Sequence, residues 1–229
     1  MGNLLNHFAP EFKLPIVGGG RFSLAEWRGH IVVLNWWSAN CPWSRRADVA
    51  VVYRQLSWDP KGVRVLGIAS NRNETEKDIR AEAQSRRIKY PVAYDGDLGV
   101  ANLDEAKTTP HFVVLDEQMY VRYVGALDDV TRPGQKPTTI YVDEAVTALL
   151  ANRPPNPLTT ADFGTPIVTR QFQPAPVARG DETQPGTQIA KTSPTSLPKT
   201  TPTDKPSSPE PTAAIRPPSD QKPASGAGN

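Results

Sequence analysis

A chain of 229 residues whose 26 basic and 24 acidic side chains leave a net charge of only +2, mixed without a long single-sign run, has no electrostatic footprint for nucleic acid. No apolar run approaches the ~20 residues that cross a bilayer, and a single cysteine excludes any internal disulfide. Proline divides the length: 12 of the 24 lie in residues 173–229, which contain no aromatic residue. Such a segment cannot bury enough apolar area to offset its ordering entropy, so a disordered Pro/Thr/Ser-rich tail is expected behind one domain of residues 1–172.

The first residues, MGNLLNHFAPEF, have neither a basic n-region nor an apolar h-region, which points to the cytoplasm. From Ala9 to Pro15 apolar and polar residues alternate between two prolines, as in a short edge strand. Gly18, Gly19 and Gly20 form a turn rather than a phosphate loop, since no helix with a lysine-bearing loop follows. Ser23 and Glu26 have capping-box spacing, opening a helical turn that Gly29 closes.

Residues 31–46 read IVVLNWWSANCPWSRR. Ile31 to Trp37 form an apolar, β-branched and aromatic strand buried on both faces. The strand pattern stops at Ser38, and Pro42 suits the first turn of a helix because its missing N–H needs no partner there. Cys41 therefore stands at a helix entrance, where unpaired N–H groups and the positive end of the dipole favour a reactive, partly exposed thiolate. Arg45 and Arg46 add positive charge nearby. In the following helix Val49, Val52, Tyr53 and Leu56 recur at i, i+3, i+4 and i+7, an apolar stripe expected to face the sheet.

This order of apolar strand, Trp-rich turn, Cys-Pro-x-x and helix resembles the thioredoxin superfamily, and within it the redoxin branch that includes alkyl hydroperoxide reductase and thiol-specific antioxidant proteins. The resemblance implies an α/β thioredoxin-like fold, a central mixed sheet flanked by helices. It departs from thioredoxins in having Ser44 three residues after the cysteine, so the CPWS site cannot close a disulfide. Many redoxin relatives also carry a cysteine after the last helix in a sequence like FGCxI. Here Phe163, Gly164, Thr165 and Ile167 match it, and Thr165 takes the cysteine's place.

Further along, residues 63–69 make another apolar strand, and Asn73 with Glu76 is expected to cap a charged helix reaching about Arg87. A short strand at residues 90–95 and a short helix at 96–105 precede Thr109-Pro110, a dipeptide that is odd before the strand at 111–115 because proline cannot donate to a ladder. The resemblance identifies Pro110 as the cis proline beside the active cysteine, and Thr109 and Pro110 as the substrate-binding edge. A turn at 116–118 leads to an antiparallel edge strand, and Val142, Ala145, Val146, Leu149 and Leu150 form the stripe of a final helix.

A low-pKa thiolate attacks either a disulfide sulfur or a peroxide oxygen, and either product then needs an outside thiol. Expected, therefore, is a monothiol redox protein with Cys41 as nucleophile, a thiol-disulfide oxidoreductase or a thiol peroxidase-like enzyme. Pro42, Trp43, Ser44 and Arg45 would support the thiol. Trp43 either covers the thiol or packs; Ser44 either hydrogen-bonds it or is a neutral replacement. For a peroxide pocket Ser38 fits, but Leu34 stands where peroxide-reducing relatives have proline. The alternative is a redox-inactive adaptor on the same fold. His7, His30 and His111 lack metal-ligand spacing, and neither a metal nor another cofactor is expected. Partners would be protein or small-molecule thiols and disulfides, with docking through the tail, and no nucleic acid or membrane.

Overall fold

The computed structural model describes residues 4–169, so the expected tail lies outside the described residues. Its centre is a five-stranded mixed sheet whose strands lie side by side in the order β5 (Val92–Tyr94), β4 (Arg64–Ala69), β3 (Val32–Trp37), β7 (His111–Leu115) and β8 (Val121–Gly125). β4 runs parallel to β3 and to β5, whereas β7 runs antiparallel to β3 and to β8. β1 (Lys13–Pro15) and β2 (Arg21–Ser23) pair as a separate hairpin, joined by the expected turn with positive φ at Gly18, Gly19 and Gly20. β6 (Thr108–Thr109) and β9 (Thr165–Pro166) form a third, two-stranded ladder. The α-helices among the described residues are α1 (Pro42–Trp58), α2 (Glu76–Ser85), α3 (Gly99–Leu103) and α4 (Tyr141–Leu150). This is a thioredoxin-like α/β fold.

All six residues of β3 are buried, and its two tryptophans part to opposite faces. Trp36 packs with Leu66, Val113 and the α3 residues Val100 and Ala101, while Trp37 packs with Ala47 and Val51 of α1 and Val142 and Val146 of α4. Removing each indole from water stabilises the sheet by on the order of 4 kcal/mol. Register and burial thereby fix β3, and with it the place where its chain leaves the sheet.

The α4 stripe turns inward as expected, with Val142, Ala145 and Val146 buried. That of α1 does not. Val49, Tyr53 and Leu56 are 75%, 70% and 74% exposed, and α1 buries Ser44, Ala47, Asp48, Val51 and Trp58 instead. The helix turns this face inward because Asp48 has a partner in the sheet: Trp37 Nε1 donates to both its carboxylate oxygens at 3.0 Å. A second correction concerns α2. Its cap is Thr75, in a reciprocal box with Asp78, while Glu76 accepts from the Gly18 N–H and pairs with Arg80.

β8 is the sheet's edge strand, yet four of its five residues are buried. Two segments cover it. Residues 6–9 exchange backbone bonds with Met119 and Val121 along one stretch, and Thr160 and Leu158 bond Val124 on the other. The second segment continues from Thr160 toward Cys41.

Candidate active site

Cys41 is the N-cap of α1, with Pro42 at the first helical position as the sequence predicts. Its backbone is extended (φ −84°, ψ 120°), which turns the sulfur back over the first helical turn. There Sγ accepts from the Ser44 N–H at 3.3 Å. The Ser44 hydroxyl is buried and meets no full hydrogen-bond geometry among the described residues, yet it stands close enough to favour the thiolate, after the Ser44 N–H.

The loop before the cysteine is gripped from two sides. Glu74, 2% exposed in the β4–α2 connection, accepts from the Ser38 hydroxyl at 2.5 Å and from the N–H groups of Asn40 at 3.0 Å and Ala39 at 3.1 Å. Arg86, just past α2, donates to the carbonyls of Ser38 and Ala39, pairs with Asp48 at 2.9 Å and lies 4.8 Å over the Trp37 ring. An anion thus takes the loop's donors and a cation its acceptors, and both the Glu74 carboxylate and the Arg86 guanidinium are nearly buried. Charge-assisted bonds of this kind are about twice as strong as neutral ones. No spacing in the sequence marks Glu74 or Arg86 for this task; each reads as one more charge beside an amphipathic helix.

Across from the loop is Thr109, whose carbonyl accepts from the Cys41 thiol at 3.0 Å, and the Thr109–Pro110 peptide bond is cis. A third wall comes from the C-terminal segment. Thr165 brings its hydroxyl to 3.3 Å from Sγ, β9 pairs antiparallel with β6, and Phe163 meets Trp43 edge to face at 4.7 Å between centroids. Ser44 and Thr165, the two hydroxyl residues at the positions where the resemblance implies a second cysteine, therefore both adjoin the sulfur.

Enclosure corrects one expectation: Cys41 is only 2% exposed, not partly open. The walls are polar, however. Burial pushes the thiol's pKa up, but hydrogen bonds from the Thr165 hydroxyl, the Ser44 N–H and the Thr109 side chain outweigh it, and the net shift is downward. The Arg45 and Arg46 guanidinium groups pair with Glu82 and Asp128.

His111, next to Pro110, is buried with Nδ1 2.8 Å from Asp162, and its ring packs edge-on against Trp36. The pair ties the C-terminal segment to β7 one residue before Phe163. His30 and His7 meet the carbonyls of Gly62 and Leu5. Among the described residues no cluster of His, Cys, Asp or Glu is arranged to hold a metal ion.

Residues 5–124 match the AhpC/TSA family, a stretch that includes the cysteine loop, Glu74, Arg86 and the Thr109–Pro110 edge. The chain belongs to the AhpC/TSA family. Among similar proteins, the thioredoxin-like protein YneN of Bacillus subtilis (strain 168) is 26% identical over 121 residues, covering 52% of this chain and 71% of that one. Of solved structures, an uncharacterized conserved protein from Geobacillus kaustophilus is 26% identical with a TM-score of 0.67, covering 75% of this chain and 93% of its own. A hypothetical protein from Sinorhizobium meliloti 1021 is 27% identical with a TM-score of 0.66, over 71% and 93% respectively. Membership in the AhpC/TSA family supports a redox function, and the match ends well before residues 163–168, the third wall of this site. No helix among the described residues is long and apolar enough to cross a membrane.

Proposed function

We propose that this AhpC/TSA protein is a monothiol redox protein in which Cys41 exchanges with disulfides and an external thiol restores it. One observation carries the reading: Sγ sits at the N-cap of α1 and accepts from the Ser44 N–H at 3.3 Å, with the Thr165 hydroxyl at the same distance, so a nearly sealed thiol still has polar neighbours that favour the thiolate. The thiolate attacks one sulfur of a disulfide; the new S–S bond joins Cys41 to that sulfur, and the other sulfur leaves as a thiolate. A low-molecular-weight thiol, as its thiolate, then attacks the substrate sulfur of the mixed disulfide and Cys41 departs, so electrons are conserved at each exchange.

Peroxide reduction is the less favoured branch, since the Ser38 hydroxyl is committed to Glu74 and Leu34 occupies the position of the usual proline. Pro42 fixes the helix entrance, Trp43 and Phe163 cover it, and Thr109 with Pro110 forms the substrate edge. The reducing cytoplasm, which holds free thiols, suits the restoring step, and residues 173–229 would serve as a spacer or docking segment.

A second reading, a redox-inactive adaptor, is favoured by the 2% exposure of the sulfur. Titrating the thiolate by its ultraviolet absorbance and following reduction of a mixed disulfide in wild type and Cys41→Ser separates the two. The redox reading expects a thiol pKa below the ordinary value and loss of turnover in the variant; an ordinary pKa with no turnover to lose leaves the adaptor.

A further inference from the structure

The edge that would receive a substrate strand is not vacant. β6 is only two residues long, and the chain's own β9 pairs with it in antiparallel register, Thr109 opposite Thr165 and Thr108 opposite Pro166. The flanking Ile167 N–H continues the ladder to the Lys107 carbonyl at 2.9 Å. At the centre the Thr165 hydroxyl lies 3.3 Å from Sγ, about where the sulfur of an incoming segment would have to come for exchange. Residues 163–168 therefore imitate a bound substrate strand, with an oxygen that cannot react in place of the sulfur.

Closeness at Gly164 makes the fit demanding. A Cβ there would lie 2.2 Å from the Thr109 carbonyl oxygen and 2.7 Å from its carbon, inside any permitted contact, so only glycine lets this backbone settle on β6. The cover is nonetheless shallow. Thr165 and Pro166 are exposed, Phe163, Ile167 and Val168 are half-buried, and the distal end rests on bonds from the Val168 N–H to Asn71 and from the Arg72 N–H to the Val168 carbonyl. The proximal end is firmer: Asp162 is pinned to His111 in the interior, and Thr160 bonds Tyr123 and the Ala126 N–H. An element with few buried contacts between a fixed root and a lightly held end opens locally, at far less cost than unfolding the sheet behind it.

We propose that residues 163–168 are a displaceable strap hinged at Asp162, which holds Cys41 latent until an extended polypeptide segment carrying a disulfide sulfur replaces it along Thr108 and Thr109. This rests on the redox reading and narrows its substrate class to protein disulfides in strand-like segments, recognised by main-chain pairing. Small disulfides gain nothing from the ladder and meet a covered sulfur.

Gating is tested by alkylation and substrate class by exchange, both on the full chain. Wild type and Gly164→Ala are compared for the rate of Cys41 alkylation by iodoacetamide at fixed pH, with circular dichroism and melting to show that both are folded. Lifting the strap should raise the rate about tenfold or more; a folded variant alkylated within twofold of wild type overturns the strap. Should Gly164→Ala not fold, the wild type alone decides through alkylation against low urea. Local opening gives a rate nearly independent of urea below the unfolding transition, and a rate that climbs from zero urea with the full unfolding slope overturns the proposal. For the substrate, an extended peptide bearing a cysteine–glutathione mixed disulfide is set against hydroxyethyl disulfide. Wild type should prefer the peptide by about tenfold or more, and Gly164→Ala should narrow that preference by speeding the small disulfide; equal rates in wild type overturn the assignment to peptide segments. A variant that alkylates fast but exchanges with neither disulfide would leave the strap standing and bring down the redox reading.

Discussion

The Glu74 carboxylate accepts a 2.5 Å hydrogen bond from the Ser38 hydroxyl, 36 residues away in the chain, and the same carboxylate holds the Ala39 and Asn40 N–H groups. One side chain thereby sets the path of the loop that delivers Cys41 to its helix. Replacing it strands four donors, the Ser38 hydroxyl, the Ala39 and Asn40 N–H groups and the Asn71 side-chain amide. Glu74→Ala is expected to lose about 2–3 kcal/mol in urea unfolding, and to slow Cys41 exchange in the fraction that remains folded. Glu74→Gln keeps one acceptor oxygen but turns an amide N–H₂ toward donors, so it should recover only part of both. Equal exchange rates in wild type and the folded Glu74→Ala protein would mean that the loop keeps its path without the carboxylate.

The Thr165 hydroxyl is the largest of the interactions that favour the Cys41 thiolate. Thr165→Val keeps the shape of the side chain and removes the donor, leaving desolvation less opposed. The thiol pKa, read from the ultraviolet absorbance of the thiolate, should therefore rise above that of wild type, and thiolate content at neutral pH should fall. Thr165→Cys offers a sulfur where the oxygen stood 3.3 Å away, and mild oxidation should join Cys41 to the introduced cysteine in a disulfide that protects the thiol from alkylation until reduced.

Asp104, 5% exposed, has its carboxyl pushed from 3.8 to about 7, first by burial and then by the charge of Asp95. A raised folded-state pKa means that folding favours the protonated form. The cost of ionising Asp104 in place is absent below about pH 4, where folded and unfolded chains are both protonated. It grows between pH 4 and 7 and is complete above the folded value of about 7. Asp104→Asn should accordingly match wild type near pH 4 and exceed it by on the order of 2–4 kcal/mol at pH 8, measured by urea unfolding across that range. A constant difference between the two proteins at all pH values would contradict this.

On α1, Val49 and Leu56 are exposed whereas Val51 is fully buried. Val49→Ser and Leu56→Ser should each change stability by no more than about 0.5 kcal/mol, while Val51→Ala should cost about 1–3 kcal/mol through the cavity it leaves. Thermal or urea unfolding of the three variants ranks them directly, and a large loss at Leu56 would return this face of the helix to the core.

Local patterns carried far in this chain. The run from Ile31 to Trp37 could only be a buried strand, Pro42 could only begin a helix, and Cys41 between them had to be its cap. These conclusions need neighbours in sequence alone, because strand burial, proline geometry and helix ends are set within a few residues. The α1 stripe failed for a related reason: periodicity registers apolar residues, and it could not weigh a buried Asp48 that satisfies Trp37 and Arg86 against three apolar side chains left in water.

The sequence by itself determined the thioredoxin-like order of elements, the helix-entrance cysteine and the absence of a second cysteine. Only the tertiary structure decided that Glu74 and Arg86 hold the cysteine loop, and that residues 163–168 return to close over Cys41. The reason is one of range: caps and periodicities are contacts between residues a turn apart, while a carboxylate 36 positions away or a hydroxyl 124 positions away becomes a neighbour only after the sheet has folded.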